Sequence, residues 1–158
     1  MNELRERTGR SARPIPDEAI LSEPRSGEPG RATTLRVLGA LAVLVVGGVH
    51  LEQYLAVHFD VVPIIGPLFL LNFIAAVVIA LGLLVPHARM RAAHILFALG
   101  GIGLAATSFV FLFLSEHRAL FGFQDYGYRA AIVIALAAEA AAVLLLGAYL
   151  TARRRHPA

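Results

Sequence analysis

The chain has 158 residues, of which 58% are hydrophobic and only 16% are charged. A soluble domain is usually about half apolar and about a quarter charged. A soluble globule of this length could not bury so much apolar surface, so the composition indicates a membrane protein. The absence of cysteine excludes disulfides, thiolate metal ligands and a cysteine nucleophile.

The first segment, residues 1–34, is rich in proline, glycine, serine, arginine and glutamate and has no apolar periodicity. Such a segment cannot bury enough apolar surface to offset the entropy of ordering, so we expect a disordered tail. It is also too long and too acidic for the start of a cleaved signal peptide. We therefore interpret the first apolar run after it as an uncleaved signal-anchor.

Four apolar segments follow this tail, and each predicts a transmembrane helix, which needs about 20 apolar residues. The first is the weakest, because its strictly apolar part, Val37 to Val49, is short and Arg36 must extend toward the interface. The second is expected to begin near Pro67, since proline suits the first turn of a helix. The predicted helices cover residues 35–55, 67–85, 93–115 and 130–152, and residues 153–158 form a basic tail.

All the basic residues other than histidine are arginines, and their distribution predicts the orientation. Twelve lie in the N-terminal segment, the 86–91 loop and the C-terminal tail, whereas the other loops carry only Arg118 and Arg129. Arginine-rich segments stay in the cytoplasm, and short loops join antiparallel helices. We therefore predict an up-down four-helix transmembrane bundle in the bacterial plasma membrane, with both termini cytoplasmic. Seven arginines in residues 1–36 are offset by six acidic residues, which argues against nucleic-acid binding.

The two loops predicted to face outward differ in character. Residues 56–66 are half apolar, and we expect them to lie in the membrane interface or to re-enter the bilayer. The loop at 115–129 carries aromatic residues that suit the lipid headgroup level. They are interpreted as membrane anchors or, alternatively, as a lid over an outward-facing pocket: Phe121, Phe123, Tyr126 and Tyr128.

Polar side chains within the apolar segments are the candidate functional residues. Each lies on the face of its helix that carries small residues, and small residues let membrane helices pack closely. With a rise of ~1.5 Å per residue, they descend from ~6 Å to ~15 Å below the outer surface. They are predicted to line one polar column, a site for a ligand or a proton: His50, Asn72, Thr107 and Glu139.

Glu139 is the deepest member of this column. A charge at the bilayer centre costs ~2.5–3.5 kcal/mol on insertion scales, so the carboxyl group must be protonated, paired or hydrated. One hypothesis is a group that titrates or binds a ligand. The alternative is a protonated carboxyl group that only links neighbouring helices by a hydrogen bond.

Other chemistry finds little support in the sequence. Zinc-protease, dinucleotide-binding and phosphate-loop motifs are missing. A haem between helices needs two histidines at matching height. His50 and His94 are predicted near opposite membrane surfaces, and only the loop residues His58 and His117 could in principle meet the level of His50. A metal site from His50, His58, Asp60 and His117 lacks a recognised ligand spacing. We expect no catalytic residue, metal or cofactor.

Two stretches carry a resemblance to a known group of proteins. HLEQYLAVHFDVVPIIGPLFLLN (His50–Asn72) and GFQDYGYRAAIVIALAAEAAAVLLL (Gly122–Leu146) resemble small four-pass membrane proteins of GC-rich Gram-positive bacteria. Those proteins have a similar His-Leu pair, an Ile-Gly-Pro-Leu-Phe-Leu-Leu stretch and a glutamate in the last helix. The family has no assigned activity, so the resemblance implies a fold and a location and not a reaction.

Two classes of function are consistent with these patterns. The first is a non-enzymatic integral membrane protein, either an accessory subunit or a small-ligand binder, whose partners are the lipid bilayer and a second copy or another membrane protein. The second is a proton-coupled transporter or a membrane-embedded redox or hydrolytic enzyme that uses the polar column. Four helices are few for a monomeric transporter, because carriers with inverted repeats are larger.

Overall fold

The computed structural model describes residues 30–56, 58–86, 91–117 and 130–155, and these are almost entirely helical. Each of its four α-helices is long and apolar enough to cross a membrane. The prediction of an all-α fold with four such helices is therefore confirmed for the described residues. In chain order the elements are α1 (Arg31–Ala56), a short 3₁₀ helix (Phe59–Val61), α2 (Ile65–Leu84), α3 (Arg91–His117) and α4 (Ala130–Arg155).

Helix boundaries differ from the predicted ones by a few residues. Helix α1 begins at Arg31, so that residues 31–34, which the sequence assigned to the tail, are helical. Helix α4 continues to Arg155. Hydropathy identifies only the apolar part of a helix. The helical backbone hydrogen bonds also include the polar residues at its ends. Helix α2 begins at Ile65, which leaves Pro67 in the first turn, where a missing N–H breaks no helical hydrogen bond.

The four α-helices form a ring in chain order. Helix α1 packs most extensively against α2 and α4, and α3 packs against α4 and α2, while α1 and α3 make only a small contact across the centre. The contact between α2 and α3 is the least extensive of the four around the ring.

Many large apolar residues face outward, and alanine is the most frequent residue among those completely buried inside the bundle. The most exposed leucines are Leu96 at 70% and Leu144 at 72%, which suits a lipid environment. Lipid tails are as apolar as leucine, so association inside a membrane depends on close packing. The completely buried residues are accordingly dominated by alanine, and they include Ala40, Ala76, Ala80, Ala98 and Ala142.

Helices α1 and α2 approach each other closely at Gly47. A Cβ atom at this position would lie 2.6 Å from the Cβ atom of Ala76, which is too short for two carbon atoms. The neighbouring Gly48 has nothing within 4 Å of the same hypothetical atom. The two glycines therefore differ in packing although they are adjacent in the sequence.

We expect the Gly47→Ala substitution to destabilise the bundle by about 1–3 kcal/mol, because an added methyl group forces α1 away from α2. The measurement is the unfolding midpoint of the purified protein in a mild detergent. Gly48→Ala is the matched control and should leave the midpoint unchanged or raise it, since alanine favours the helix. Equal midpoints for the two variants would contradict the close contact.

Candidate functional site

A cavity of about 510 Å³ lies between the four helices, at the end of the bundle where α1 ends and α2 begins. Its wall comes from the last turns of α1, the first half of α2, the second half of α3 and the first half of α4. The structure brings all the sequence-predicted polar residues to this one cavity, namely His50, Asn72, Thr107 and Glu139.

Glu139 is the most enclosed polar residue of this wall, with only 1% of its surface exposed. Its Oε2 atom has no hydrogen-bond partner among the described residues. The buried alanines Ala135 and Ala142 lie about one turn away on either side of it. A buried polar atom without a hydrogen-bond partner lowers the stability of the fold by about 1–3 kcal/mol. A ligand that forms a hydrogen bond with this oxygen would therefore be favoured.

Asn72 links α2 to α3. Its Nδ2 atom donates a 2.6 Å hydrogen bond to the Oγ atom of Ser108, while its own Oδ1 atom is buried without a partner. Sequence spacing had selected Thr107 on α3, and Thr107 does line the cavity, but its side chain is largely exposed. The contact with Asn72 comes from its neighbour Ser108, which the sequence analysis missed. The available signal in the sequence was the Ser108 hydroxyl, which directly follows Thr107.

His50 is held in one orientation by its own helix. Its Nδ1 atom lies 2.8 Å from the carbonyl oxygen of Val46, and because a carbonyl only accepts, Nδ1 carries the hydrogen. The Nε2 atom of the neutral ring is then an acceptor. The imidazole meets the Phe69 ring edge-to-face at 5.2 Å, and Phe69 meets Phe59 in the same way at 5.4 Å.

The chain between α1 and α2 supplies part of the wall. Phe59, in the short 3₁₀ helix, is buried and lines the cavity, whereas Val61 is 74% exposed. Ile64 has a φ of 71°, an unusual conformation for a β-branched residue. Gly66 allows this segment to lie on α2, because a Cβ atom there would be 2.5 Å from the carbonyl oxygen of Phe59.

Exposure around the wall is uneven. On the α4 side, Ile132 and Ala135 are both only 5% exposed. On the α2 and α3 sides, Leu68 is 41%, Leu71 60% and Phe111 46% exposed. The cavity therefore approaches the outer surface of the bundle along the contact between α2 and α3.

The opposite half of the bundle is tightly packed. Val43, Leu83 and Leu146 are almost completely buried there, and a Cβ atom at Gly39 or Gly101 would lie 2.5 or 2.7 Å from the Leu146 side chain. The described helices thus close the cavity toward the end where α1 begins.

A second polar cluster lies at that closed end. The Nε2 atom of His94 donates to the carbonyl oxygen of Val85 at 2.9 Å. The Nη1 atom of Arg36 lies 3.2 Å from His94 Nδ1 and 3.0 Å from Nε2. On α4, Arg153 donates to the hydroxyl of Tyr149 at 3.0 Å. The sequence placed Arg36 and His94 near the same membrane surface but did not predict their contact.

Several sequence predictions lie outside the described residues. These are the remainder of the N-terminal tail, the 87–90 turn, and the aromatic loop with Phe121, Phe123, Tyr126 and Tyr128. Within the described ranges, no group of three or more histidine, aspartate or glutamate residues is arranged to hold a metal ion. The exposed His58 and Asp60 side chains lie 3.9 Å apart.

Comparisons with protein-family models, with curated proteins and with solved structures find no match to this chain.

Proposed function

We propose that this chain is a non-enzymatic, multi-pass protein of the bacterial plasma membrane that binds a small ligand in the four-helix cavity. The observation that carries the proposal is Glu139, a buried carboxyl group whose Oε2 atom faces no donor from the described residues. Polar groups of membrane helices are expensive and usually functional when they face a cavity. An apolar cavity with a few convergent polar groups is also the common form of a small-molecule site.

The packing below the cavity favours binding over transport. A proton-coupled transporter needs a route that reaches both membrane surfaces in turn. In this structure the cavity ends above the completely buried side chains of Val43, Leu83 and Leu146. The described part of the chain therefore presents a site with one closed end.

The orientation of the bundle is part of this proposal. We propose an up-down bundle with both termini in the cytoplasm, which places the cavity in the outer half of the membrane and the Arg36–His94 cluster at the inner surface. The arginine distribution of the sequence supports it. The resemblance to small four-pass membrane proteins is consistent with it.

A reporter tests this orientation. Green fluorescent protein fused after Ala158 should fluoresce, and alkaline phosphatase fused at the same place should be inactive, because the positive-inside rule retains the basic end in the cytoplasm. A phosphatase inserted after Asp60 should be active, since that site is predicted to face outward. Phosphatase activity at Ala158 would contradict the orientation.

Ala135 and Ala137 offer a matched test of the cavity. Ala135 lines it and is buried, whereas Ala137, two residues further along α4, faces outward. We expect native mass spectrometry of the protein, purified in mild detergent from its host membrane, to show a bound small molecule. Ala135→Leu projects a larger side chain into the cavity, one turn from Glu139, and should lose that mass, whereas Ala137→Leu should keep it.

Two results would overturn the proposal that a ligand binds in this cavity. Either a wild-type mass equal to that of the chain alone, or a bound mass that survives Ala135→Leu, would show that the cavity is not a ligand site. Circular dichroism of both variants checks that the helices are retained.

A further inference from the structure

We propose that the ligand of this cavity is a lipophilic amine, whose ammonium group donates hydrogen bonds to Glu139 and Asn72. This inference rests on the proposed function, because it names the chemical class of ligand for the same site. Four features of the cavity support it: the buried oxygens without a hydrogen-bond partner, the charges of the wall, its aromatic residues and its exposed side between α2 and α3.

The first observation is that the buried polar atoms left without a partner are oxygens that can accept hydrogen bonds. Oε2 of Glu139 and Oδ1 of Asn72 are both buried and unpartnered among the described residues. The Nδ2 atom of Asn72 already donates to Ser108. His50 directs its Nδ1 hydrogen to the Val46 carbonyl, which leaves Nε2 as an acceptor in the neutral ring. A ligand that donates hydrogen bonds could satisfy all three of these atoms.

The second observation concerns charge. None of the described residues that line the cavity is an arginine or a lysine, and Glu139 is the only acidic one. No ion pair within the described residues involves Glu139. A cationic ligand would pair with the ionised form of this carboxyl group, and charge-assisted hydrogen bonds are about twice as strong as neutral ones.

The third observation is the aromatic and apolar remainder of the wall. Phe59, Phe69 and Phe111 line the same cavity as Glu139. A ring face attracts a cation at short range, and the apolar residues beside the rings suit a hydrocarbon body. A strongly hydrated metal or inorganic cation would find few oxygen ligands here, so the wall suits an organic ammonium ion.

The fourth observation is that the lining residues on the α2 and α3 side are exposed. Leu68, Leu71 and Phe111 are both lining residues and exposed residues, and they border the least extensive helix contact of the ring, between α2 and α3. In a membrane this side faces the lipid tails. A lipophilic amine dissolved in the bilayer could enter there without crossing the packed half of the bundle.

Three naphthalene compounds of similar size test the ligand class: an amine (naphthylmethylamine), an alcohol (naphthylmethanol) and a carboxylate (the anion of naphthylacetic acid). The chain contains no tryptophan, so naphthalene fluorescence is read without that background. Binding is measured by fluorescence anisotropy with the full chain in lipid nanodiscs. Empty nanodiscs correct for partition of each compound into lipid.

We expect the amine to bind the wild-type protein about 10- to 100-fold more tightly than the alcohol, as for a hydrogen bond to a charged partner, and the carboxylate to bind weakest. Glu139→Gln preserves the shape of the side chain but cannot carry a negative charge. It should reduce amine affinity by about the same factor and leave alcohol affinity almost unchanged. Ala137→Leu should change neither affinity.

Two different failures can be distinguished. If the alcohol binds as tightly as the amine, Glu139→Gln affects both equally and Ala135→Leu abolishes both, then the cavity binds ligands but the amine is not their class. If no compound binds, or if Ala135→Leu leaves all binding intact, then the proposed function itself is wrong.

Discussion

Glu139→Leu should stabilise the ligand-free protein by about 1–3 kcal/mol, the reverse of what most buried substitutions do. Its Oε2 atom is buried without a partner, so leucine removes an unmet polar group and adds apolar contacts in a wall with spare room. The same variant should lose binding of naphthylmethylamine. The measurement is the unfolding midpoint in detergent without ligand, together with the anisotropy titration.

Ser108→Ala is the control for this prediction. Ser108 accepts the hydrogen bond from Asn72, so its loss should lower stability by about 0.6–2 kcal/mol, the range measured for hydrogen bonds between membrane helices. The opposite signs of the two effects would separate a functional polar group from a structural one. If Glu139→Leu instead destabilises the bundle, the carboxyl group links helices, as the alternative hypothesis from the sequence held.

Leu146→Ala should give the largest loss of stability, about 2–4 kcal/mol. Leu146 is completely buried on α4. Its methyl groups occupy the space beside Gly39 on α1 and Gly101 on α3, where an added Cβ would lie 2.5 Å and 2.7 Å from them, respectively. Alanine would leave a void between three helices that lipid cannot fill. A titration with denaturing detergent, followed by circular dichroism, measures the loss.

Leu144 provides the matched comparison on the same helix. It is 72% exposed, and lipid tails would replace the contacts of its side chain in Leu144→Ala. That substitution should cost well under 1 kcal/mol, because no cavity forms. Equal losses for the two leucines would show that α4 does not pack in the described rotation.

Much of the fold could be predicted because the signals are local. A run of about 20 apolar residues has few structural solutions other than a membrane helix, and this holds for α2, α3 and α4. Helix α1 was predicted from a shorter apolar run, and its true start at Arg31 lies where hydropathy no longer reports on the helix.

The candidate site was also partly accessible from local spacing. His50, Asn72 and Glu139 each share a helix face with small residues, and small residues mark the side that packs inward. That reasoning places polar side chains inside the bundle without knowledge of which helices are neighbours. In the structure these residues line one cavity, and their role as a ligand or proton site stays a prediction.

The sequence by itself determined which segments are long and apolar enough to cross a membrane and which helix faces carry the polar residues, because both follow from composition and helical period within one segment. Only the tertiary structure decided that Ser108 and not Thr107 meets Asn72, since adjacent residues differ by about 100° on a helix and the rotation of α3 depends on its neighbours. The tertiary structure also decided which half of the bundle is tightly packed and which half contains the cavity. Leu146 fills one half because glycines of two other helices leave room for it, and no single segment carries that information.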